Sequence, residues 1–391
     1  MARHFAANFV NLLVLLLVVA GGIVYWGKSE YDRPGPLEQA IFIEVPRGGS
    51  FTAVSEDLAK QGAIRSAMVM RLAAKYQERE GDLKFGNYEI PAGATVAEII
   101  DIVTKGGRSS FRYVASYQVR ISDARTILSE RDAEDGSLTE IVRFQADAEP
   151  PEEYARLVAA KTPMALRISV AEGATSWHIT ESLKKAEFLG GDVEGVPPEG
   201  MLAPNTYEVR RGTLVGEVLD QMMEAQQRIL AEEWESRADG LPIQSAEEAL
   251  TLASIIEKET GVAEERAEVA AVFVNRLNKG MKLQMDSTVE YGLTEGKGFL
   301  GRGLRRSELS RKTPYNTYII EGLPPGPIGN PGRDAIRATL NPNTSNNLFF
   351  VADGTGGHVF AETLVEHNRN VAAWRKIEAE QRRQQQQGNG G

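Results

Sequence analysis

The chain has 391 residues, of which 42% are hydrophobic and 25% are charged. This composition suits a folded protein of two or three domains and excludes a disordered or collagen-like chain. The 44 basic and 54 acidic residues give a net charge of −10, so we expect no nucleic acid partner held by an overall positive field. The absence of cysteine excludes disulfides, thiolate catalysis and cysteine-bound metals.

The first predicted element is an apolar helix over residues 9–26, which ends in Tyr25 and Trp26. Its length approaches the roughly 20 residues that cross a bilayer, and aromatic rings of this kind favour the headgroup layer. We therefore predict a single-pass anchor, with residues 1–8 in the cytoplasm and the rest of the chain on the far side. A cleaved signal peptide is the alternative, because residues 18–20 loosely resemble a cleavage site.

Three segments, which begin at Val45, Pro91 and Val170, repeat one order of features. Each has an extended stretch, a glycine, a hydroxyl residue at a helix N-cap and an amphipathic helix. The glycines and caps are Gly48 with Ser50, Gly93 with Thr95, and Gly173 with Thr175. Modules of this build resemble LysM-like domains, which bind peptidoglycan glycan in bacteria, so residues 40–110 are expected to be a LysM-like region. A strand-turn-helix unit without a ligand is the alternative.

The middle and the end of the chain carry weaker patterns. Residues 111–200 are expected to hold one or more additional modules, with the acidic stretch 129–153 as a solvated linker or insertion. The proline-containing residues 195–212 predict a loop that leads into the next domain. Residues 376–391, rich in glutamine and glycine, predict a disordered tail.

The sequence SAEEALTLASIIEKETG predicts a helix that begins with a capping box of Ser245 and Glu248 and ends at a left-handed Gly261. Apolar residues three, four and seven positions apart form one stripe on this helix, and the next position on the stripe is Glu259. The stripe consists of Ala249, Leu252, Ile255 and Ile256.

Two glutamates near the end of this helix are expected to differ in environment. Glu259 falls on the buried face, whereas Glu257 points well over about 100° away from it. Desolvation raises the pKa of a carboxyl group, and a general acid needs a carboxyl that keeps its proton near neutral pH. Glu259 is therefore the predicted acid, although a glutamate at a helix end can also reach solvent past Gly261.

From Leu252 to about Asn368 the chain resembles the YceG-like family of endolytic murein transglycosylases. The resemblance is carried by LASIIEKET, VFVNRL, LQMDSTVEYG, TPYNTYIIEGLPPGPIGNPG, LFFVADGTGGHVF and EHN. It implies an α+β protein with a single N-terminal transmembrane helix, LysM-like modules and a mixed α+β catalytic domain over residues 201–375. The family's catalytic acid carries over to Glu259, whereas Asn205 stands where the family usually has aspartate.

The resemblance implies cleavage of the β-1,4 bond between N-acetylmuramic acid and N-acetylglucosamine, which leaves 1,6-anhydro ends and terminates or trims nascent strands. It implies no cofactor, a place in the bacterial inner membrane with the catalytic domain in the periplasm, and peptidoglycan glycan strands as the substrate. Penicillin-binding proteins and other cell-wall synthesis machinery are the expected protein partners.

Six residues in the motifs are candidates for substrate binding, through amide groups, a carboxylate or aromatic faces that suit sugar rings. They are Gln284, Asp286, Tyr291, Tyr315, Asn316 and Tyr318. A cap on the short helix of Tyr291, formed by Asp286 or Ser287, is the alternative role for the carboxylate, and the tyrosines could be structural. Residues 294–337 contain eight basic and four acidic residues, which suits anionic peptide stems or a solvated surface equally.

Residues 348–352 and 357–360 predict a hairpin across an Asp353-Gly354 turn. His358 and His367 form no metal-binding pattern, and we expect no metal. Two other functions remain open: a water-using muramidase, with Asp286 as the second carboxylate, and a non-catalytic scaffold that binds the cell wall.

Overall fold

The protein was analysed as a computed structural model, which describes residues 2–46, 48–105, 111–132 and 135–388. The described residues divide into two compact units. The first unit takes its residues from Met1–Ser116, Ile127–Arg143 and Pro150–Leu166, and the second from Tyr117–Thr126, Phe144–Glu149 and Arg167–Gly391. The mixture of helices and strands in both units confirms the predicted α+β class.

The first unit begins with a long helix, α1 (Ala2–Asp32). Its part Leu12–Asp32 has a mean hydropathy of 1.9 over its most apolar window, and none of that window is buried in the protein. The helix is therefore long and apolar enough to cross a membrane, a property that an N-terminal signal sequence would share. The predicted anchor lies within it, whereas Met1 and the side chains of residues 2–11 fall outside the described part.

The body of the first unit contains the first two copies of the repeat. Its elements are β1 (Ile41–Val45), α2 (Phe51–Lys60), α3 (Ala67–Tyr76), β2 (Gly86–Ile90) and α4 (Val96–Lys105). The two strands pair antiparallel, with Ile41 opposite Ile90 and Val45 opposite Gly86. Both copies bury their apolar faces in one core, which includes Leu58. Residues 106–110, the end of the predicted LysM-like region, lie outside the described residues.

All three copies have the predicted strand-glycine-helix geometry, the third being formed by β6 (Met164–Val170) and α6 (Ser176–Lys184). Each cap hydroxyl accepts a hydrogen bond from the backbone N–H three residues later, at 3.2 Å in every copy. The turn glycines adopt left-handed φ values, which strain other residues: Gly48 at 74°, Gly93 at 67° and Gly173 at 77°. The LysM-like character of these modules stays a prediction.

The stretch 129–153, expected as an acidic linker or insertion, contains regular elements of the expected additional module over residues 111–200. The elements before β6 are β3 (Tyr113–Val119), β4 (Ala124–Arg131), β5 (Leu138–Gln145) and α5 (Glu152–Ala159). A five-stranded sheet has the order β5-β4-β3-β6-β7, in which β7 (Thr206–Val209) lies inside the region expected to be a loop. Strand β5 lies at the edge of the sheet with exposed or half-buried residues, so acidic composition alone misjudged this stretch. Residues 133–134 of the stretch are not among the described residues.

The second unit is mainly helical after the third copy. Its helices are α7 (Val215–Glu235), α8 (Ala246–Glu259), α9 (Arg266–Asn278), α10 (Asp286–Thr294), α11 (Arg306–Leu309) and α12 (Arg333–Leu340). Helix α8 is almost wholly apolar in its middle and packs against α7, α9, α10 and α12 at the centre of the core. This central position fixes the direction of the side chains at its C-terminal end.

The chain closes with the hairpin β8 (Phe349–Ala352) and β9 (His358–Ala361), which confirms the predicted turn, and with α13 (Leu364–Gly388). The structure has a helix where residues 376–388 were expected to be a disordered tail. Glutamine, arginine and glutamate are good helix formers, so a polar run of them can extend a helix. Residues 389–391 lie outside the described residues, so the prediction for them stays untested.

Candidate active site

Helix α8 carries the predicted acid at its last position. Ser245 is the N-cap, and its hydroxyl accepts a hydrogen bond from the Glu248 backbone N–H at 3.3 Å. The Glu248 carboxylate instead accepts from the backbone N–H of Gln244, so the predicted capping box is only half formed. The helix ends where Thr260 adopts an extended conformation. Gly261 does not have the left-handed conformation that the sequence predicted.

The carboxyl group of Glu259 lies at the wall of a cleft and has one hydrogen-bond partner among the described residues. The hydroxyl of Ser287 donates to its Oε1 at 2.6 Å. Burial raises the pKa of Glu259, and the nearby negative charge of Asp286 acts in the same direction. The Ser287 hydrogen bond and the charge of His358 oppose that rise without reversing it. Glu259 is therefore biased towards the protonated form that a general acid requires.

Glu257 points elsewhere, as predicted, but it is not exposed. Its side chain is 5% exposed, and its Oε2 accepts a hydrogen bond from the Gly332 backbone N–H at 2.9 Å. Arg266 lies 3.8 Å from its other oxygen. Burial raises the pKa of this carboxyl too. The expected contrast in burial is therefore wrong, and the two glutamates differ in what they contact.

The cleft beside Glu259 has a volume of about 550 Å³. Its walls come from the third copy, the end of α8, the start of α10 and the loop 297–304. The lining includes Thr175, Trp177, His178, Lys258, Glu259, Asp286, Ser287, Glu290, Tyr291 and Phe299. The third copy of the repeat thus forms part of the cleft within the second unit, a role that sequence reasoning did not assign to it.

Asp286 lines the cleft and is hydrogen-bonded to Tyr318, which is not part of the lining. The hydroxyl of Tyr318 donates to Asp286 Oδ1 at 2.7 Å, and burial raises the pKa of that tyrosine. Helix α10 begins after Met285 with no side-chain cap, so neither Asp286 nor Ser287 has the capping role considered for it. Asp286 stays exposed at the cleft, where its carboxylate can meet a ligand.

Tyr291 and Tyr315 pack against each other, with ring centroids 4.8 Å apart. Only Tyr291 lines the cleft, and its hydroxyl donates to Glu199 Oε2 at 3.2 Å. Burial raises the pKa of Glu199, whose Oε1 accepts from the backbone N–H of Ser176 at 2.8 Å. This network joins α10 to the start of α6 and holds Tyr291 in place, whereas Tyr315 supports it from the core.

Four of the six predicted substrate residues are not part of the cleft lining: Gln284, Tyr315, Asn316 and Tyr318. Asn316 is fully buried, and its side-chain amide donates to the carbonyls of Arg311 at 2.7 Å and Leu309 at 3.1 Å. That amide holds a loop together, which does not fit the expected contact with sugar. Gln284 is exposed with a φ of 57°, and its backbone N–H donates to Thr317. Its side chain is not part of the cleft lining.

Sequence reasoning missed Lys258, which lines the cleft beside the candidate acid. Its aliphatic stem runs past the backbone of Gly329, where a Cβ atom would come within 3.2 Å of Cε. Burial lowers the pKa of Lys258, and nearby carboxylates, Glu290 foremost, oppose that change. The sequence places Lys258 between the two glutamates, but it does not show which of these three side chains faces the cleft.

Half of the eight basic residues over 294–337 form ion pairs among the described residues, namely Lys297, Arg302, Arg333 and Arg337. Arg302 contacts Glu308 at 2.6 Å, and both Arg333 and Arg337 contact Glu233 of α7 at 3.0 Å. These pairs favour a structural role for much of the positive charge, and they do not favour an open surface for anionic ligands.

The loop Gly322–Pro327 lines a second groove of about 650 Å³, together with Glu247 and Glu248, and it does not line the cleft of Glu259.

Within the described residues, no cluster of three or more histidine, aspartate or glutamate side chains could hold a metal ion. His358 instead pairs with Glu265, with Nδ1 2.7 Å from Oε2.

Comparison with known proteins adds a family to this geometry. The curated endolytic murein transglycosylases of Streptococcus pneumoniae D39 and Bacillus subtilis 168 are 27% and 29% identical to the chain over 389 and 361 residues. The alignments cover 94% and 90% of this chain, and 65% and 90% of those relatives. The chain thus spans less than two thirds of the pneumococcal relative.

A solved YceG-like protein from Listeria monocytogenes is 25% identical, with a TM-score of 0.44, over 85% of this chain and 99% of that one. The profile of the YceG-like family matches residues 43–373, which is most of the chain. That match includes the helix of Glu259 and every wall of its cleft. The chain belongs to the YceG-like family.

Proposed function

We propose that this chain is an endolytic lytic transglycosylase that cleaves the MurNAc-GlcNAc β-1,4 bond of peptidoglycan and leaves 1,6-anhydroMurNAc ends. The observation that carries the proposal is the Glu259 carboxyl, which lies in a cleft and has a raised pKa. The names of the pneumococcal and Bacillus relatives, endolytic murein transglycosylase, support the substrate class.

In the first step, protonated Glu259 donates its proton to the glycosidic oxygen as the bond to the muramyl C1 breaks. Positive charge develops at C1, and the departing sugar leaves with a new hydroxyl. The carboxylate that remains is stabilised by the Ser287 hydroxyl, which already donates to Oε1 at 2.6 Å. Ser287 thus keeps one carboxyl oxygen oriented while the other is used for chemistry.

In the second step, the Glu259 carboxylate removes the proton from the muramyl C6 hydroxyl, and that oxygen closes onto C1. The acid is regenerated, and no water enters the reaction. One carboxyl group therefore serves both steps, whereas glycosidases that use water or an enzyme nucleophile need two. Because the carboxylate form is disfavoured by burial, Glu259 is also a ready base once the first proton has gone.

The other groups of the cleft are suited to hold the glycan. Trp177 and Tyr291 offer ring faces for sugars, and the Asp286 carboxylate can accept hydrogen bonds from sugar hydroxyls. Lys258 brings a cation to the wall beside the acid. Contacts of this kind would hold the glycosidic bond next to the Glu259 carboxyl group. Because the reacting atoms are then already aligned, the binding energy lowers the barrier to cleavage.

The proposed location is the inner membrane, with α1 as a single-pass anchor, its N-terminus in the cytoplasm and the rest of the chain after α1 in the periplasm. The exposed apolar surface of α1 supports this proposal. There the enzyme would trim or terminate nascent strands near penicillin-binding proteins, which remain proposed partners.

The test is digestion of purified peptidoglycan by the full chain in detergent, followed by mass analysis of the new ends. Anhydro ends are lighter by one water than reducing ends, so the two products separate. Glu259→Gln, which cannot deliver a proton, is the matched inactive control. Reducing muramic acid as the primary product would assign the protein to the hydrolases.

A water-using muramidase is the second candidate, and one observation favours keeping it. Asp286 and Glu290 line the same cleft as Glu259, so a second carboxylate is available there. A complete lack of cleavage, with binding retained, would instead favour the scaffold function.

A further inference from the structure

The apolar helix α1 meets the body of the first unit without a spacer. Trp26 is 53% exposed, whereas Gly27, Glu30 and Tyr31 are partly covered by the body. Tyr31 packs on the core of the first unit, and its hydroxyl accepts a hydrogen bond from Gln77 Nε2 at 2.7 Å. The body therefore begins where the apolar surface of the helix ends.

The elements that touch this end of α1 are α3 and α4. The step from Gly27 to Tyr31 is about 6 Å along the helix axis. The headgroup layer of each leaflet is itself roughly 5–8 Å thick. If α1 spans the membrane with Trp26 at its edge, the C-terminal end of α3, which precedes Gln77, lies at the depth of the lipid headgroups.

Helix α3 carries an apolar stripe that no described residue covers. Met68, Leu72 and Tyr76, spaced by four residues, are 61%, 55% and 92% exposed. The opposite face of the helix, with Val69, Met70 and Ala74, is buried in the core of the unit. Helix α3 is thus apolar on both faces, and only one face is explained by packing within the chain.

We propose that the α3 stripe of Met68, Leu72 and Tyr76 rests on the lipid leaflet beside α1, so that the first unit is held to the membrane surface by two contacts. The stripe lies on a helix that packs directly against the end of the proposed anchor, because α3 contacts α1. Tyr76 suits the headgroup layer with its polar hydroxyl and apolar ring, and exposed Lys75 beside it can reach phosphates. A second copy of the chain or another protein is the competing occupant of this stripe.

This inference rests on the proposed anchoring by α1 and is independent of the proposed chemistry. It implies that the first two copies of the repeat are fixed at the membrane, with one face turned away from the cell wall. The second unit is not constrained by this contact.

The absence of cysteine from the natural chain allows single spin labels to be placed cleanly. We would label Met68→Cys, Leu72→Cys and Tyr76→Cys in the full chain, one chain per lipid nanodisc, so that no second copy is present. Collision rates with oxygen and with a water-soluble nickel chelate report the depth of each label. Leu17→Cys serves as the reference for the membrane interior, and Val365→Cys, at a position that is 71% exposed, as the reference for the second unit.

The stripe labels are expected to lose accessibility to the nickel chelate and to keep accessibility to oxygen, relative to free label in buffer. Stripe labels as accessible to the chelate as free label, with the Leu17 label protected, would overturn the proposal and leave a protein as the occupant. A Leu17 label that is itself accessible to the chelate would overturn both the anchor and the stripe contact. Neither result would alter the test of the proposed reaction by mass analysis.

Discussion

The last turn of α8 places two glutamates, two residues apart, in contrasting surroundings. Glu257 accepts a backbone N–H and lies near Arg266, so its carboxyl group helps to join α8 to the start of α12 and α9. Glu259 has a single hydroxyl partner, Ser287, and opens onto a cleft. Burial raises the pKa of both carboxyls. The direction of the pKa shift therefore does not distinguish the two carboxyls, whereas the contacts of each one do.

We expect the contrast between the two glutamates to be largest in turnover. Glu259→Gln should lower the cleavage rate by about 10²–10⁴-fold or more, because an amide of nearly the same shape cannot donate the proton. Glu257→Gln should retain most activity, since its amide oxygen can still accept from Gly332. The measurement is the initial rate of peptidoglycan cleavage, with circular dichroism to show that both variants fold. An inactive Glu257 variant beside an active Glu259 variant would reverse the assignment.

The second-largest expected effect is on the free energy of unfolding, and it concerns Glu257. Glu257→Ala removes the acceptor of the Gly332 N–H and the partner of Arg266, and an unsatisfied buried donor costs about 1–3 kcal/mol. We expect a lower denaturant midpoint for this variant. Glu259→Ala, which leaves no buried backbone group without a partner, is its matched control. Equal losses in the two variants would show that the contacts of Glu257 do not stabilise the fold.

Glu259→Gln should also make the protein more stable at neutral pH. A raised pKa in the folded state means that folding favours the protonated carboxyl, and this contribution is lost as pH rises through the folded pKa. The neutral amide avoids the loss, because it has no charged form to bury. The melting temperature of the variant should exceed that of the wild type, and the difference should grow as pH rises from the unfolded to the folded pKa of Glu259 and then level off. A difference that shrinks with rising pH would contradict the raised pKa.

The smallest effects concern the neighbours of Glu259. Ser287→Ala removes a hydrogen bond to the carboxylate, so the pKa of Glu259 should rise further and the alkaline limb of kcat/KM should move to higher pH. Asp286→Asn removes a negative charge, so that limb should move to lower pH. The measurement is the pH at which the alkaline limb lies in each variant, and not the maximum value of kcat/KM. Shifts in the same direction would refute the electrostatic account.

Local features of the fold could be predicted from the sequence because neighbouring residues determine them. The N-caps Ser50, Thr95 and Thr175 with their turn glycines, the hairpin of β8 and β9, and the direction of Glu259 from the stripe of α8 all follow from short-range rules. The strands β4 and β5 were missed because their sequences lack a regular polar-apolar alternation and are rich in polar and charged residues. The C-terminal helix was missed because a glutamine run was equated with disorder.

The site itself depends on contacts between distant parts of the chain, which periodicity does not contain. Glu257 accepts a hydrogen bond from the backbone N–H of Gly332, 75 residues further on, and Ser287 reaches Glu259 from 28 residues away. The fully buried amide of Asn316 and the place of Trp177 in the cleft wall are likewise tertiary. The local pattern therefore predicted Glu259 as a candidate acid, but it did not predict the groups that tune it.

The most direct test of the proposed mechanism is the protonation state of Glu259 in the resting protein. Infrared difference spectra between the wild type and Glu259→Gln, recorded as a function of pH, isolate the carboxyl band of this one residue. We predict a protonated carboxyl band that persists above the pH at which an exposed glutamate ionises and then disappears as pH rises. A Glu259 carboxyl already ionised at the ordinary pKa of glutamate, about 4.3, would contradict this mechanism.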